Sequence, residues 1–126
     1  MRHVLDASAL LALMQGEPGA QRVAAVMADA LICTVNLAEV GVKVIGVGGV
    51  RGEVQQLLSR LGLGIVAFDE DLAWATADLR ARTRSAGLSL GDRACLALAM
   101  REGATALTAD RAWARLDLDC EVELIR

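Results

Sequence analysis

Tyrosine is absent from this 126-residue chain, and Phe68, Trp74 and Trp113 are its only aromatic residues. Proteins that hold single strands of nucleic acid by stacking bases on rings need more, so no stacking platform is expected. Histidine occurs once, as His3. That leaves neither an imidazole cage for zinc nor a Ser-His triad. Cys33, Cys95 and Cys120 are an odd set without a CxxC pair. They predict buried free thiols, a reducing cytoplasm, and no disulfide scaffold. No apolar run reaches the ~18 residues needed to cross a bilayer. Asp6 interrupts the apolar N-terminal stretch before it can serve as a signal peptide. Lysine also occurs once, as Lys43, among 13 basic residues; the rest are arginine.

What the chain has in excess is apolar side chains: 55% of residues, with a mean hydropathy of +0.43. A single domain over residues 1–126 is expected at this length. The apolar share exceeds that of an ordinary soluble domain. It predicts apolar surface reserved for a partner, whether a second copy or a different protein. Net charge is −3, so the whole-molecule field does not attract nucleic acid. Affinity for a polyanion would have to be local. Arg80, Arg82, Arg84 and Arg93 cluster in one stretch, and guanidinium forks suit phosphate oxygens; a solvated helix face is the plainer alternative.

The hydrophobic pattern alternates short apolar runs with helical segments. Strands are predicted at Met1–Leu5, Leu31–Thr34, Gly64–Phe68, Thr105–Leu107 and Glu121–Ile125. Helices are predicted at Ser8–Gln15, from Pro18 to about Ala28, Val35 to about Ile45, Arg51–Leu61, Asp69–Arg84, Ser89–Glu102 and Asp110–Leu116. This order predicts βαβ units: a three-layer α/β/α fold around a five-stranded parallel sheet. The Gly46–Gly49 run lacks the GK[ST] ending of a phosphate loop and misses the G-x-G-x-x-G register. A mobile loop or helix bend is expected there.

In such sheets ligands bind beyond the carboxyl ends of the strands. Asp6 follows the first strand, Glu39 lies about one turn past the second, and Asp110 follows the fourth. Asp92 opens the helix that leads into the fourth. Each acid alone could be a helix cap, with Asn36-x-x-Glu39 and Ser89-x-x-Asp92 resembling capping boxes. Together they suggest one acidic cluster. Two carboxylates ~4 Å apart repel by about 4 kcal/mol at an effective dielectric of 20. A divalent cation would offset that repulsion, and an all-oxygen donor set favours Mg²⁺ or Mn²⁺. Such a site suits phosphoryl chemistry. Ser8, Asn36 and Thr108 are placed to orient the carboxylates.

Four segments taken in order, Val4-Leu5-Asp6-Ala7-Ser8, Asn36-Leu37-Ala38-Glu39-Val40, Leu90-Gly91-Asp92-Arg93-Ala94 and Leu107-Thr108-Ala109-Asp110, resemble the PIN-domain family over essentially the whole chain. More narrowly, they resemble the VapC-type toxins of bacterial toxin–antitoxin pairs. The resemblance implies a five-stranded parallel sheet and a Mg²⁺- or Mn²⁺-dependent endoribonuclease. It implies metal binding and catalysis by Asp6, Glu39, Asp92 and Asp110. It also implies a homodimer and an antitoxin that blocks the site, often through an arginine. The chain departs from the family at Val42–Val50, where relatives carry a more polar helix and loop. The alternatives are a non-catalytic doubly wound binding domain or a phosphoreceiver-like domain. The latter wants a phosphoacceptor after the third strand, where Asp69 stands, and a lysine near the end of the sheet, where there is none.

Overall fold

The structure, a computed structural model, describes residues 2–126. Its strands are β1 (His3–Leu5), β2 (Ala30–Cys33), β3 (Gly64–Val66), β4 (Thr105–Thr108) and β5 (Val122–Leu124). All pair in parallel, in the order β3-β2-β1-β4-β5. Six α-helices connect the described strands: α1 (Ala7–Gln15), α2 (Ala20–Val26), α3 (Thr34–Gly46), α4 (Arg51–Leu61), α5 (Glu70–Thr83) and α6 (Leu90–Glu102). The predicted strand over Met1–Leu5 is present as His3–Leu5; Met1 lies outside the described residues.

The alternation within each strand explains the three layers. Leu5, Ile32 and Leu107 face a core built with Leu10, Ala12, Val23, Val40 and Leu58 of α1 to α4. Their neighbours Val4, Cys33 and Ala106 face the other way, onto Leu72 and Leu79 of α5, Cys95 and Leu98 of α6, and Trp113. The inner strands β1, β2 and β4 bury side chains on both faces and read as largely apolar runs; the edge strands do not, with Ile65 of β3 exposed and Glu123 in β5. The predicted α/β/α architecture is therefore the observed one. No helix among the described residues is long and apolar enough to cross a membrane.

Two predicted helices differ. The segment expected from Pro18 to Ala28 is helical only over Ala20–Val26, followed by a 3₁₀ turn at Met27–Asp29. Gly19 holds φ 97°, and a Cβ there would stand 2.7 Å from the Ile125 carbonyl oxygen. Only glycine fits, and its left-handed backbone delays the helix to residue 20. The segment Asp110–Leu116 is a 3₁₀ turn, Arg111–Arg115, and Leu116 returns to extended backbone. Burial of Trp113 against α6 and the sheet fixes that turn without a longer helix. The Gly46–Gly49 run is a tight connection between α3 and α4. Gly48 N and Gly49 N donate to the carbonyls of Ile45 and Val44, at 3.0 and 2.9 Å.

Between β1 and β4 the sheet order reverses. From β1 the chain builds outward to β2 and β3; then it crosses back to lay β4 and β5 on β1's other side. That switch opens a crevice at the carboxyl ends of β1 and β4, where an α/β fold positions ligands.

Candidate active site

The crevice is built from four separate segments. Asp6, 4% exposed, leaves the end of β1 and caps α1. Its Oδ1 accepts from Ala9 N at 2.8 Å and from Ser8 Oγ at 2.7 Å; its Oδ2 accepts from Thr108 Oγ1 at 2.5 Å. Ser8 Oγ in turn accepts from Ala109 N (2.9 Å), and Thr108 Oγ1 accepts from Asp110 N (3.0 Å). Each hydroxyl proton is thus committed to Asp6, so the 3.4 Å approach of the two hydroxyls adds no further bond. Burial pushes the Asp6 carboxyl above its ordinary range; these hydrogen bonds pull the other way, and the charge of Asp92 adds a smaller upward push.

Asn36, buried in the first turn of α3, joins α3 to α6. Its Nδ2 donates to the Gly91 carbonyl at 3.0 Å and to Glu39 Oε1 at 3.2 Å. Asn36-x-x-Glu39 is therefore not a capping box, because α3 begins at Thr34 and Asn36 already lies inside it. The Glu39 carboxylate rests over the Cα of Gly91. A Cβ at that position would run into Oε1 and stand 2.9 Å from Cδ. Partial desolvation pushes the largely exposed Glu39 above the usual carboxylate range, with the charges of Asp92 and Asp6 adding to it. The Asn36 hydrogen bond and the Lys43 charge oppose the shift.

Asp92 forms a true capping box with Ser89 at the start of α6. Its Oδ2 accepts from Ser89 N at 3.0 Å, and Ser89 Oγ accepts from Asp92 N at 3.1 Å. Asp110 caps the 3₁₀ turn through Oδ1, which accepts from Ala112 N at 3.0 Å. Capping engages one oxygen of each and leaves the other for the crevice. Asp6, Glu39, Asp92 and Asp110 line one pocket of ≈180 Å³ together with Asn36 and Lys43.

This donor set fits a hard divalent cation: four carboxylates, no sulfur, no imidazole. Asn36 adds a buried Oδ1 with no hydrogen-bond partner, an oxygen left for a water or an ion. Among the described residues no three His, Cys, Asp or Glu side chains stand close enough to enclose an ion unaided. Mg²⁺ does not require that, since it keeps several waters and takes one or two carboxylates directly. Residues that would hold it are Asp6, Glu39, Asp92 and Asp110.

The predicted arginine cluster divides. Arg80 and Arg84 line one shallow pocket beside Gly87. Arg82 turns elsewhere, donating to the Asp117 carbonyl at 3.1 Å and pairing with Asp119 at 3.8 Å. Arg93, next to Asp92 in α6, reaches the Ser89 carbonyl at 3.4 Å. Asp69 caps α5 and faces Arg101 at 3.6 Å, away from the acid pocket.

Sequence reasoning missed three features. Gly91 was part of a motif with no role of its own. Lys43 stood out as the sole lysine, within the segment that departs from the family, but was given no place among the acids. The third is an apolar groove of ≈400 Å³ between α3 and α4, lined by Leu37, Val40, Val44, Ile45, Val54 and Leu58. The dense apolar residues Val42, Val44, Ile45, Val47 and Val50 were its available signal in the sequence; in the structure Val42, Ile45, Val47 and Val50 are exposed.

Comparison with known proteins fits this geometry. No curated protein sequence matches the chain. Solved structures do. A toxin–antitoxin complex from Klebsiella pneumoniae has 21% identity and a TM-score of 0.72, over 94% of this chain and 98% of that one. DNA-bound VapBC from Salmonella typhimurium has 18% identity and a TM-score of 0.72, over 100% and 99%. FitAcB from Neisseria gonorrhoeae has 21% identity and a TM-score of 0.71, over 98% and 97%. These likenesses establish the shared fold. The PIN domain family itself matches residues 3–118, and on that match the chain belongs to the PIN-domain family.

Proposed function

We propose that this protein is a metal-dependent endoribonuclease of the VapC type, the toxin of a toxin–antitoxin pair that acts by cutting RNA and so inhibiting translation. The observation that carries the proposal is the convergence of Asp6, Glu39, Asp92 and Asp110, from four segments, on one pocket at the sheet's switch point. A bound Mg²⁺ or Mn²⁺ would supply a water of lowered pKa and offset the charge of the phosphodiester. The chain's own residues hold the frame. Ser8 and Thr108 fix both oxygens of Asp6. Asn36 holds Glu39 against α6. The N-termini of α1 and α6 direct their dipoles toward the same edge, where a phosphate would gain from them.

The partner side of the proposal rests on the α3–α4 groove. Its lining is mainly apolar, with Arg51 and Gln55 as its polar members, and α3 separates it from the acid pocket. We assign it to the antitoxin, which would reach the acids from there. The resemblance also implies a homodimer. A phosphoreceiver has less support, because Asp69 is engaged as a helix cap and by Arg101.

Purified protein should cleave single-stranded RNA with Mg²⁺ or Mn²⁺ and stop when EDTA is added. Asp6→Asn and Asp92→Asn should each abolish cleavage while circular dichroism stays that of a folded protein. Full activity in either variant removes the site assignment. Cleavage that persists in EDTA removes the metal.

A further inference from the structure

Lys43 is the only lysine in the chain and, among the described residues, the only cationic side chain lining the acid pocket. It stands four residues after Glu39 on α3, on the same helix face and about 6 Å further along the axis. Helical side chains lean back toward the N-terminus, so a lysine here reaches toward the Glu39 end of the pocket. A Glu four residues before a Lys is the favoured spacing for an ion pair. Yet among the described residues Lys43 forms no ion pair within 4.0 Å, with Glu39 or with any other acid. It is exposed, and its three N–H donors are not committed to the protein.

We infer that Lys43 is a substrate-binding residue, whose ammonium holds a backbone phosphate of the RNA at the rim of the acid pocket. The inference rests on the ribonuclease reading above and deepens it. A pocket walled by four carboxylates repels a polyanion, and one divalent cation offsets only half of that charge. The arginines do not line this pocket. Lys43 supplies the missing positive charge at the place where the substrate must enter. A lysine suits the task because its compact charge on a flexible stem can follow a phosphate without a fixed fork geometry. A residue serving merely to neutralise Glu39 would close onto it; Lys43 stands off.

The test uses the full chain and a fluorescein-labelled single-stranded RNA, with Ca²⁺ replacing Mg²⁺ to hold back cleavage. Anisotropy gives the affinity at several salt concentrations, and calorimetry gives Mn²⁺ affinity without RNA. Lys43→Gln should weaken RNA binding about twofold to fivefold at low salt. It should also flatten the slope of log K against log salt by roughly 0.7, the value of one phosphate contact on a single strand. Lys43→Arg should restore the slope. Arg60→Gln removes the same charge from the end of α4, where the chain enters β3 from the opposite edge of the sheet, and should leave the slope unchanged. Mn²⁺ affinity in Lys43→Gln should be equal to that of the wild type or tighter. An unchanged slope in Lys43→Gln, or weakened Mn²⁺ binding, overturns the inference while the ribonuclease reading stands. Wild-type protein that binds no RNA overturns both.

Discussion

The carboxylate of Glu39 lies directly over the Cα of Gly91, so close that it could not keep this position if residue 91 had a side chain. Gly91 lies inside α6 with ordinary helical backbone. The glycine is there for space, not for conformation. Gly91→Ala therefore separates stability from function. Alanine should raise helix stability by up to ~1 kcal/mol, because the obstacle is the end of a flexible, exposed Glu side chain that can swing away. The same swing removes Glu39 from the pocket. Urea denaturation should show a domain as stable as the wild type or more so, with cleavage reduced at least ~10-fold, equivalent to about 1.4 kcal/mol of barrier. A Gly91→Ala variant that cleaves normally would mean that Glu39 does not act from this position.

Glu39 also sets a pH dependence. Partial desolvation and neighbouring acids raise its folded pKa above the ordinary value of 4.5. A carboxyl raised in the folded state binds its proton more tightly there than in the unfolded chain. It favours the fold at low pH, and that contribution is lost as pH rises through the raised value. Asp6 shifts in the same direction. Metal-free Glu39→Gln should thus melt roughly 1–3 °C higher than the wild type at neutral pH, with the gain vanishing below the carboxylate range. Mn²⁺ should reverse the order, since the wild type binds the ion better and gains more from it. Melting curves with and without Mn²⁺ at two pH values test the crossover.

The divided arginines predict divided phenotypes. Arg80→Ala with Arg84→Ala should weaken RNA binding and flatten its salt dependence by up to roughly 1.4, two contacts' worth on a single strand. Arg82→Ala should leave RNA binding alone and instead speed hydrogen exchange around Asp117–Cys120, the loop it ties down. If all three behave alike, the stretch acts as one diffuse patch.

The α3–α4 groove predicts how the partner would be lost. Ile45→Asp places a charge in apolar lining and should reduce affinity for the antitoxin by more than ~10-fold, the effect of an unpaired charge at a desolvated contact. RNA cleavage by the isolated protein should persist, because Ile45 does not line the acid pocket. Co-purification alongside a cleavage assay reads both effects; a variant that still binds its antitoxin at full strength would move the docking site elsewhere.

Much of the fold was legible because the inner strands are largely apolar on both faces and each long helix carries its own stop. The two misread helices are instructive. Pro18 looked like a first helical residue, but the close pass of Gly19 against Ile125 decided the boundary, and that contact joins residues 106 positions apart. Asp110–Leu116 had helical spacing, but the burial of Trp113 fixed a shorter 3₁₀ turn. Three of the acids were visible at or just past strand ends, and Asp92 at the start of the helix that leads into β4. Their helix-capping roles, weighed as rivals to a metal site, coexist with the pocket in three cases, since a cap takes only one carboxylate oxygen. The tie from Asn36 to the Gly91 carbonyl was not legible, because nothing in either segment announces a partner 55 residues away.

Helix α3 turns Glu39 and Lys43 to the acid pocket, and Val40 and Val44 to the apolar groove. One helix is therefore a wall of two chambers. A partner that grips the groove also decides how firmly that wall stands, so occupancy of one chamber must alter ion affinity in the other whenever the wall's position differs between states. By thermodynamic reciprocity the dependence runs equally in both directions: if the pocket takes the proposed cation and the groove the proposed partner, the loaded protein would hold that partner with a different strength from the empty one. The supply of divalent cation would then act on release of the inhibitor as well as on the chemistry that follows.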